Sequence, residues 1–121
     1  MSCQTGRIEC VKGNSIDGID VELLVNDVPK NLAYTDIKAV FTYETQLEID
    51  TYKKAIPAAK EFTIGAGITD VNEAAGKYTI LKNTVLNWEK GKWNFAVTYE
   101  FSDGSIKTWT FGTLWIIQFQ I

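Results

Sequence analysis

The chain contains no histidine, and only two cysteines, two prolines and one methionine among its 121 residues. Without an imidazole there is no Ser-His-Asp or Cys-His nucleophile, and the commonest nitrogen ligand of zinc is missing. Cys3 and Cys10 match neither CxxC nor a zinc spacing. Free thiols are the expectation, with a disulfide or an intermolecular bridge as the alternative. Long apolar runs are missing too: none approaches the roughly 18 to 20 residues that cross a bilayer, and the opening MSCQTGRIECVKGN lacks the apolar core of a signal peptide. Positive charge is short as well, with 12 Lys and Arg against 15 Asp and Glu. The lysines are scattered, so there is no basic footprint for nucleic acid. These absences lead us to expect synthesis in a cytoplasm, no membrane insertion and no nucleic-acid partner.

What is present is the composition of a folded protein, 45% hydrophobic and 22% charged, in a length that suits one domain over residues 1–121 with a flexible lead-in over 1–12. Residues 19–25, IDVELLV, alternate as a half-buried strand does. NDVPKN reads as a turn, because Asn-Asp supplies side-chain acceptors and Pro29 fixes φ. Residues 36–44 read as a second strand with Ile37, Ala39, Phe41 and Tyr43 on one face. The stretch 45–60 has capping-box spacing at Thr45 and Glu48 but also Pro57, leaving a short helix and an extended or looped path as alternatives. EFTI and KYTILK read as strands, and GAGITDVNEAAG between them as a connection containing a short paired segment around Ile68. NTVLNWEKG, at 83–91, suits one helical turn capped by Gly91.

The final hairpin is the strongest signal. Trp93, Phe95, Val97, Tyr99 and Phe101 fall on one face, and Ser102-Asp103-Gly104-Ser105 supplies a tight turn. The return strand runs 106–111, with a bend or bulge expected at Gly112, and resumes as TLWIIQFQI. About seven strands at short spacing predict an all-β, antiparallel sandwich or barrel with at most one short helix.

No motif names a reaction. The carboxylates lie mostly in turns or on polar strand faces, DGID at 17–20 lacks a calcium-loop ligand series, and GAG at 65–67 lacks the rest of a dinucleotide fingerprint. We therefore expect no enzyme activity, no catalytic residues, no metal and no cofactor. Most of the hairpin's aromatics are expected in the core. Trp109 and Trp115 are harder to place, and LWIIQFQI is apolar on both faces, as a central strand or a strand covered by another subunit would be. Trp109, Trp115, Ile117 and Phe119 are accordingly the candidate protein-interface residues. The alternative is a carbohydrate-binding module stacking sugars on Trp109, Trp115 or Tyr52.

The order of these signals resembles the small immunoglobulin-like β-sandwich domains of tailed bacteriophages, including those at the N-terminus of baseplate upper proteins. Lys12, Gly13 and Asn14 match the opening Lys-Gly-Asn/Asp, and PKNLAYTDIKAVFTYE loosely follows the step into the second strand. Gly67, Ile68 and then Ala74, Ala75, Gly76, Lys77, Tyr78 and Thr79 match the middle. Gly91, Trp93, Phe95, Val97, Asp103, Gly104, Thr108, Gly112 and Leu114 match the final hairpin. The resemblance covers about 110 residues and departs at the insertion of 45–60. It implies an immunoglobulin-like fold and a non-enzymatic structural part of a tail or baseplate, a virion component made in the host cytoplasm. Its partners would be other tail or baseplate proteins or further copies of itself.

Overall fold

The structure, a computed structural model, describes residues 7–44 and 57–117. Among the described residues twelve strands follow in order: β1 (Arg7–Val11), β2 (Ser15–Ile16), β3 (Ile19–Glu22), β4 (Leu24–Val25), β5 (Val28–Pro29), β6 (Asp36–Tyr43), β7 (Lys60–Ile64), β8 (Gly67–Asn72), β9 (Lys77–Ile80), β10 (Thr84–Val85), β11 (Gly91–Glu100) and β12 (Ile106–Ile117). Eight of them form one mixed sheet in the order β1-β12-β11-β6-β7-β8-β9-β3, with β10-β2 and β4-β5 as separate pairs. The long sheet curls on itself, giving an all-β, sandwich-like fold. The sharp corner is the β7–β8 step, where Gly65 and Gly67 take φ of 84° and 101° and Thr63 and Ala66 exchange backbone hydrogen bonds of 3.0 and 2.8 Å. Glycine is needed because such φ values cost an L-residue steric strain.

The predicted alternation of β11 sets the core. Trp93, Phe95, Val97 and Tyr99 are all buried, as are Ile37, Ala39 and Phe41 of β6 and Leu114 and Ile116 of β12. From the facing layer come Ile19, Val21, Ile68, Tyr78 and Ile80. The Tyr78 and Tyr99 hydroxyls are hydrogen-bonded to each other between the two layers, so neither polar tip is left unsatisfied in an apolar interior.

Several local expectations need correction. The 83–91 segment forms no helical turn. Thr84 and Val85 pair with Ile16 and Ser15, Leu86 N donates to Asn14 O at 3.1 Å and Leu86 O accepts from Gly13 N at 2.7 Å. Its backbone groups are thus spent on the neighbouring strand. The segment delivers Trp88 onto Phe41, Phe62 and Trp93, and Gly91 opens β11 with φ of 133°. No helix occurs among the described residues; of the stretch 45–60, residues 45–56 lie outside them, and 57–59 lead without regular structure into β7 at Lys60.

The irregularity of β12 falls at Trp109, not at Gly112: Val97 pairs with Thr110 and Thr98 with Thr108, leaving Trp109 as the extra residue of a bulge. Gly112 stays in register opposite Phe95, and a Cβ there would lie 2.4 Å from Phe95 Cζ. That glycine therefore makes room for a core ring rather than bending the strand. The run 19–25 breaks at Leu23 into β3 and β4, and the hairpin β4–β5 turns on Asn26 and Asp27, both at positive φ, as a two-residue type I′ loop requires. Pro29 occupies β5, opposite Leu24.

The C-terminal strand is internal over its second half. β1, from the stretch expected as a flexible lead-in, runs parallel to β12 from Arg7 opposite Thr113 to Val11 opposite Ile117. Pairing with β1 and β11 satisfies both edges of β12 here, while its two faces differ: Leu114 and Ile116 are buried and Ile117 is exposed.

Candidate interaction surface

Among the described residues, the predicted interface residue Trp109 lies apart from Trp115 and Ile117, which share one face of β12. Trp109 is displaced by the bulge toward the core side of the hairpin, where its ring centroid lies 5.6 Å from Phe101 and 6.3 Å from Tyr99. It remains 42% exposed. Lys30 covers the Phe101 ring with Nζ 4.9 Å from its centroid. Trp115 and Ile117 alternate with buried Leu114 and Ile116 and so lie on the opposite face of β12. Phe119 and Tyr52 fall outside the described residues.

Trp115 belongs to a polar row across the outer face. Lys92 stands 3.3 Å from Glu44 Oε2 and 5.9 Å from the Trp115 ring centroid, and Asn94 Nδ2 donates to Glu44 Oε1 at 3.0 Å. The Asn94 amide first, and Lys92 second, hold the Glu44 carboxyl below the ordinary glutamate value. This packing makes Trp115 a half-buried member of the sheet surface rather than a free platform.

The tip of the hairpin is organised by Asp103. Its Oδ1 accepts from Ser105 N at 2.8 Å and from Ser105 Oγ at 2.6 Å, while Gly104 takes φ of 89°. The Ser105 hydroxyl, then its backbone N–H, hold the Asp103 carboxyl below the ordinary aspartate value, with Lys30 adding a smaller pull. A carboxylate with a depressed folded-state pKa stabilises fully above its unfolded value, and that contribution is lost as pH falls through the folded value. Asp103→Ala is therefore expected to lower the melting temperature at neutral pH, with the deficit shrinking in acid below the ordinary aspartate range. A deficit independent of pH would assign the effect to turn geometry alone.

The same end of the molecule carries features that sequence reasoning missed. Tyr34, in the β5–β6 loop, is 90% exposed and has φ of 57°. Two residues later Asp36 pairs directly across the strands with Glu100, and Glu100 pairs in turn with Ile106, which is 63% exposed. Below them is a shallow depression of about 440 Å³ lined by Asp36, Lys38, Thr63, Ile64, Thr98 and Glu100. Asp36 and Glu100 read in sequence as carboxylates on polar strand faces, and only the register shows them opposed. Nothing in the sequence around Tyr34 signals a left-handed residue.

Among the described residues no group of three or more Cys, Asp or Glu is placed to hold a metal ion. Comparison of the chain with protein-family models, with curated proteins and with solved structures finds no match.

Proposed function

We propose that this chain is a non-enzymatic, immunoglobulin-like structural domain of a phage or prophage tail or baseplate, acting through protein–protein contacts as a virion component. Strand adjacency supports the immunoglobulin-like part. β3-β9-β8 and β6-β11-β12 have the B-E-D and C-F-G neighbours of that sandwich, with β7 added beside β6. The glycines that carry the sequence resemblance also occupy demanding places: Gly13, Gly67, Gly76, Gly91 and Gly104 all have positive φ, and Gly112 faces the Phe95 ring.

The observation that carries the contact reading is β12, the strand of the best-matched hairpin, which leaves Ile106, Trp109 and Ile117 exposed. Immunogold electron microscopy of particles released from the source cells tests the assignment. Labelled tails or baseplates are expected, and particles free of label overturn it. Self-assembly is tested separately by light scattering over a concentration series. A defined oligomer that Trp115→Glu dissociates, with the far-ultraviolet circular dichroism unchanged, is the expected result, and a monomeric wild type ends that part of the proposal.

The sugar-binding reading has one favourable observation, the exposure of Trp109. A flat strip of tryptophans does not form, because Trp109 and Trp115 lie on opposite faces of β12 and Trp93 is buried. Binding of a glycan that is lost in Trp109→Ala would restore that reading.

A further inference from the structure

We propose that Tyr34, Asp36, Glu100 and Ile106 form a docking surface for a protein segment that presents an arginine or lysine beside an apolar side chain. The inference deepens the reading of the chain as a protein-contact domain and names the chemistry of one contact.

Each member of this surface is a poor choice for folding alone. Tyr34 has φ of 57°, a region where a bulky L-residue is strained and where glycine or asparagine is the stable choice. Burial does not repay the strain, since the side chain is 90% exposed. The turn that holds it is firmly made: Thr35 N donates to Leu32 O at 3.1 Å, Leu32 N to Glu73 O at 2.9 Å, and Ala33 N to Asn31 Oδ1 at 2.8 Å. Its flanking residues Leu32 and Thr35 are buried. The loop thus fixes the direction of Tyr34 while gaining nothing from its ring.

Asp36 and Glu100 lie directly opposite each other on adjacent strands, where like charges destabilise a sheet. The cations nearby are engaged elsewhere: Lys38 pairs with Glu61 at 2.7 Å, and Lys30 lies over Phe101. Lys107 is opposite Tyr99, on the other face of the sheet from Glu100. Ile106 completes the row with an exposed apolar side chain, and Ile64, 46% exposed, borders the depression below.

An incoming arginine answers all of these costs together. Its guanidinium bridges two carboxylates bidentately, its stem covers the threonines and Ile64 of the depression, and a neighbouring apolar side chain meets Ile106 and the Tyr34 ring. Tyrosine and arginine are the residue types that concentrate binding energy at protein contacts. Local choices that oppose folding are expected to cluster where function selects them.

The probe is a random heptapeptide library selected on the immobilised full chain. Enriched peptides are expected to carry Arg or Lys next to an apolar residue, and to bind about tenfold more weakly to Asp36→Asn, Glu100→Gln and Tyr34→Asn proteins. No enrichment, enrichment of acidic peptides, or binding indifferent to these substitutions overturns the proposal. Tyr34→Asn is also expected to raise the melting temperature by about 3 °C by relieving strain, and a fall would make Tyr34 a folding residue and overturn it too. If millimolar calcium raises the melting temperature of the wild type but not of the Asp36→Asn, Glu100→Gln double variant, the carboxylates form a cation site and the proposal fails. None of these outcomes alters the immunogold result, so the tail assignment stands or falls independently.

Discussion

Trp93→Ala is expected to lower the unfolding free energy by about 4 kcal/mol. The side chain is fully buried and sits at the junction of three elements. Its ring centroid is 5.2 Å from Tyr43 of β6, in an edge-to-face contact, and 5.1 Å from Trp88 of the 86–90 connection. Its Nε1 donates to Glu89 O at 2.9 Å. Truncation opens a cavity that the β-sheet on either side cannot close, because Leu114 and Tyr43 flank the site in fixed register. It also removes the donor to the Glu89 carbonyl and one wall of the Trp88 site. Urea unfolding checks it through the midpoint, with the slope unchanged. Trp109→Ala is the control, expected within about 1 kcal/mol of wild type because that ring is half in solvent. Equal losses for the two tryptophans would contradict the inside-outside assignment of the hairpin.

That assignment was legible from residues 93–101 because a period-two pattern in a long strand has few readings. β6 was legible for the same reason, and so was the hairpin tip, where Asp-Gly chemistry is local. The features missed all depend on distant partners. A parallel β1–β12 pairing leaves no signal in residues 7–11, since parallel strands are joined by long connections rather than turns. Residues 83–91 look helical until Asn14 and Ile16 compete for their backbone groups. The bulge at Trp109 follows from fitting β12 to both the Phe95–Gly112 contact and the Asp103 turn, which no window of sequence contains. The candidate surface was the least legible part. Trp109 stands out in the sequence because an irregularity in its strand can change its face, whereas Tyr34, Asp36 and Glu100 become notable only through φ, exposure and cross-strand register.

Gly76→Ala is the second large effect, with an expected loss of about 3 kcal/mol. A Cβ at this position would lie 2.7 Å from Lys30 O, 2.9 Å from Leu23 O and 3.2 Å from Lys30 N. All three are backbone atoms, so no side chain can swing aside. The φ of 66° adds strain of its own. Gly104→Ala separates the two causes: its φ of 89° is also unfavourable, but no other atom lies within 4 Å of the added Cβ, and a loss of about 1 kcal/mol is expected there. The excess at Gly76 measures how closely the β8–β9 turn is pressed onto the loops that follow β3. That contact is held by Leu23 N donating to Gly76 O at 2.8 Å, while Glu73 O anchors Leu32 N two residues before Tyr34. Gly76→Ala should therefore speed amide exchange at Leu23 and Leu32 before it speeds exchange in β11, and should weaken the binding of Tyr34-dependent peptides in the still-folded protein. If Gly76→Ala costs no more than Gly104→Ala, the loops are not packed in this way, and Tyr34 is not held in advance for a partner.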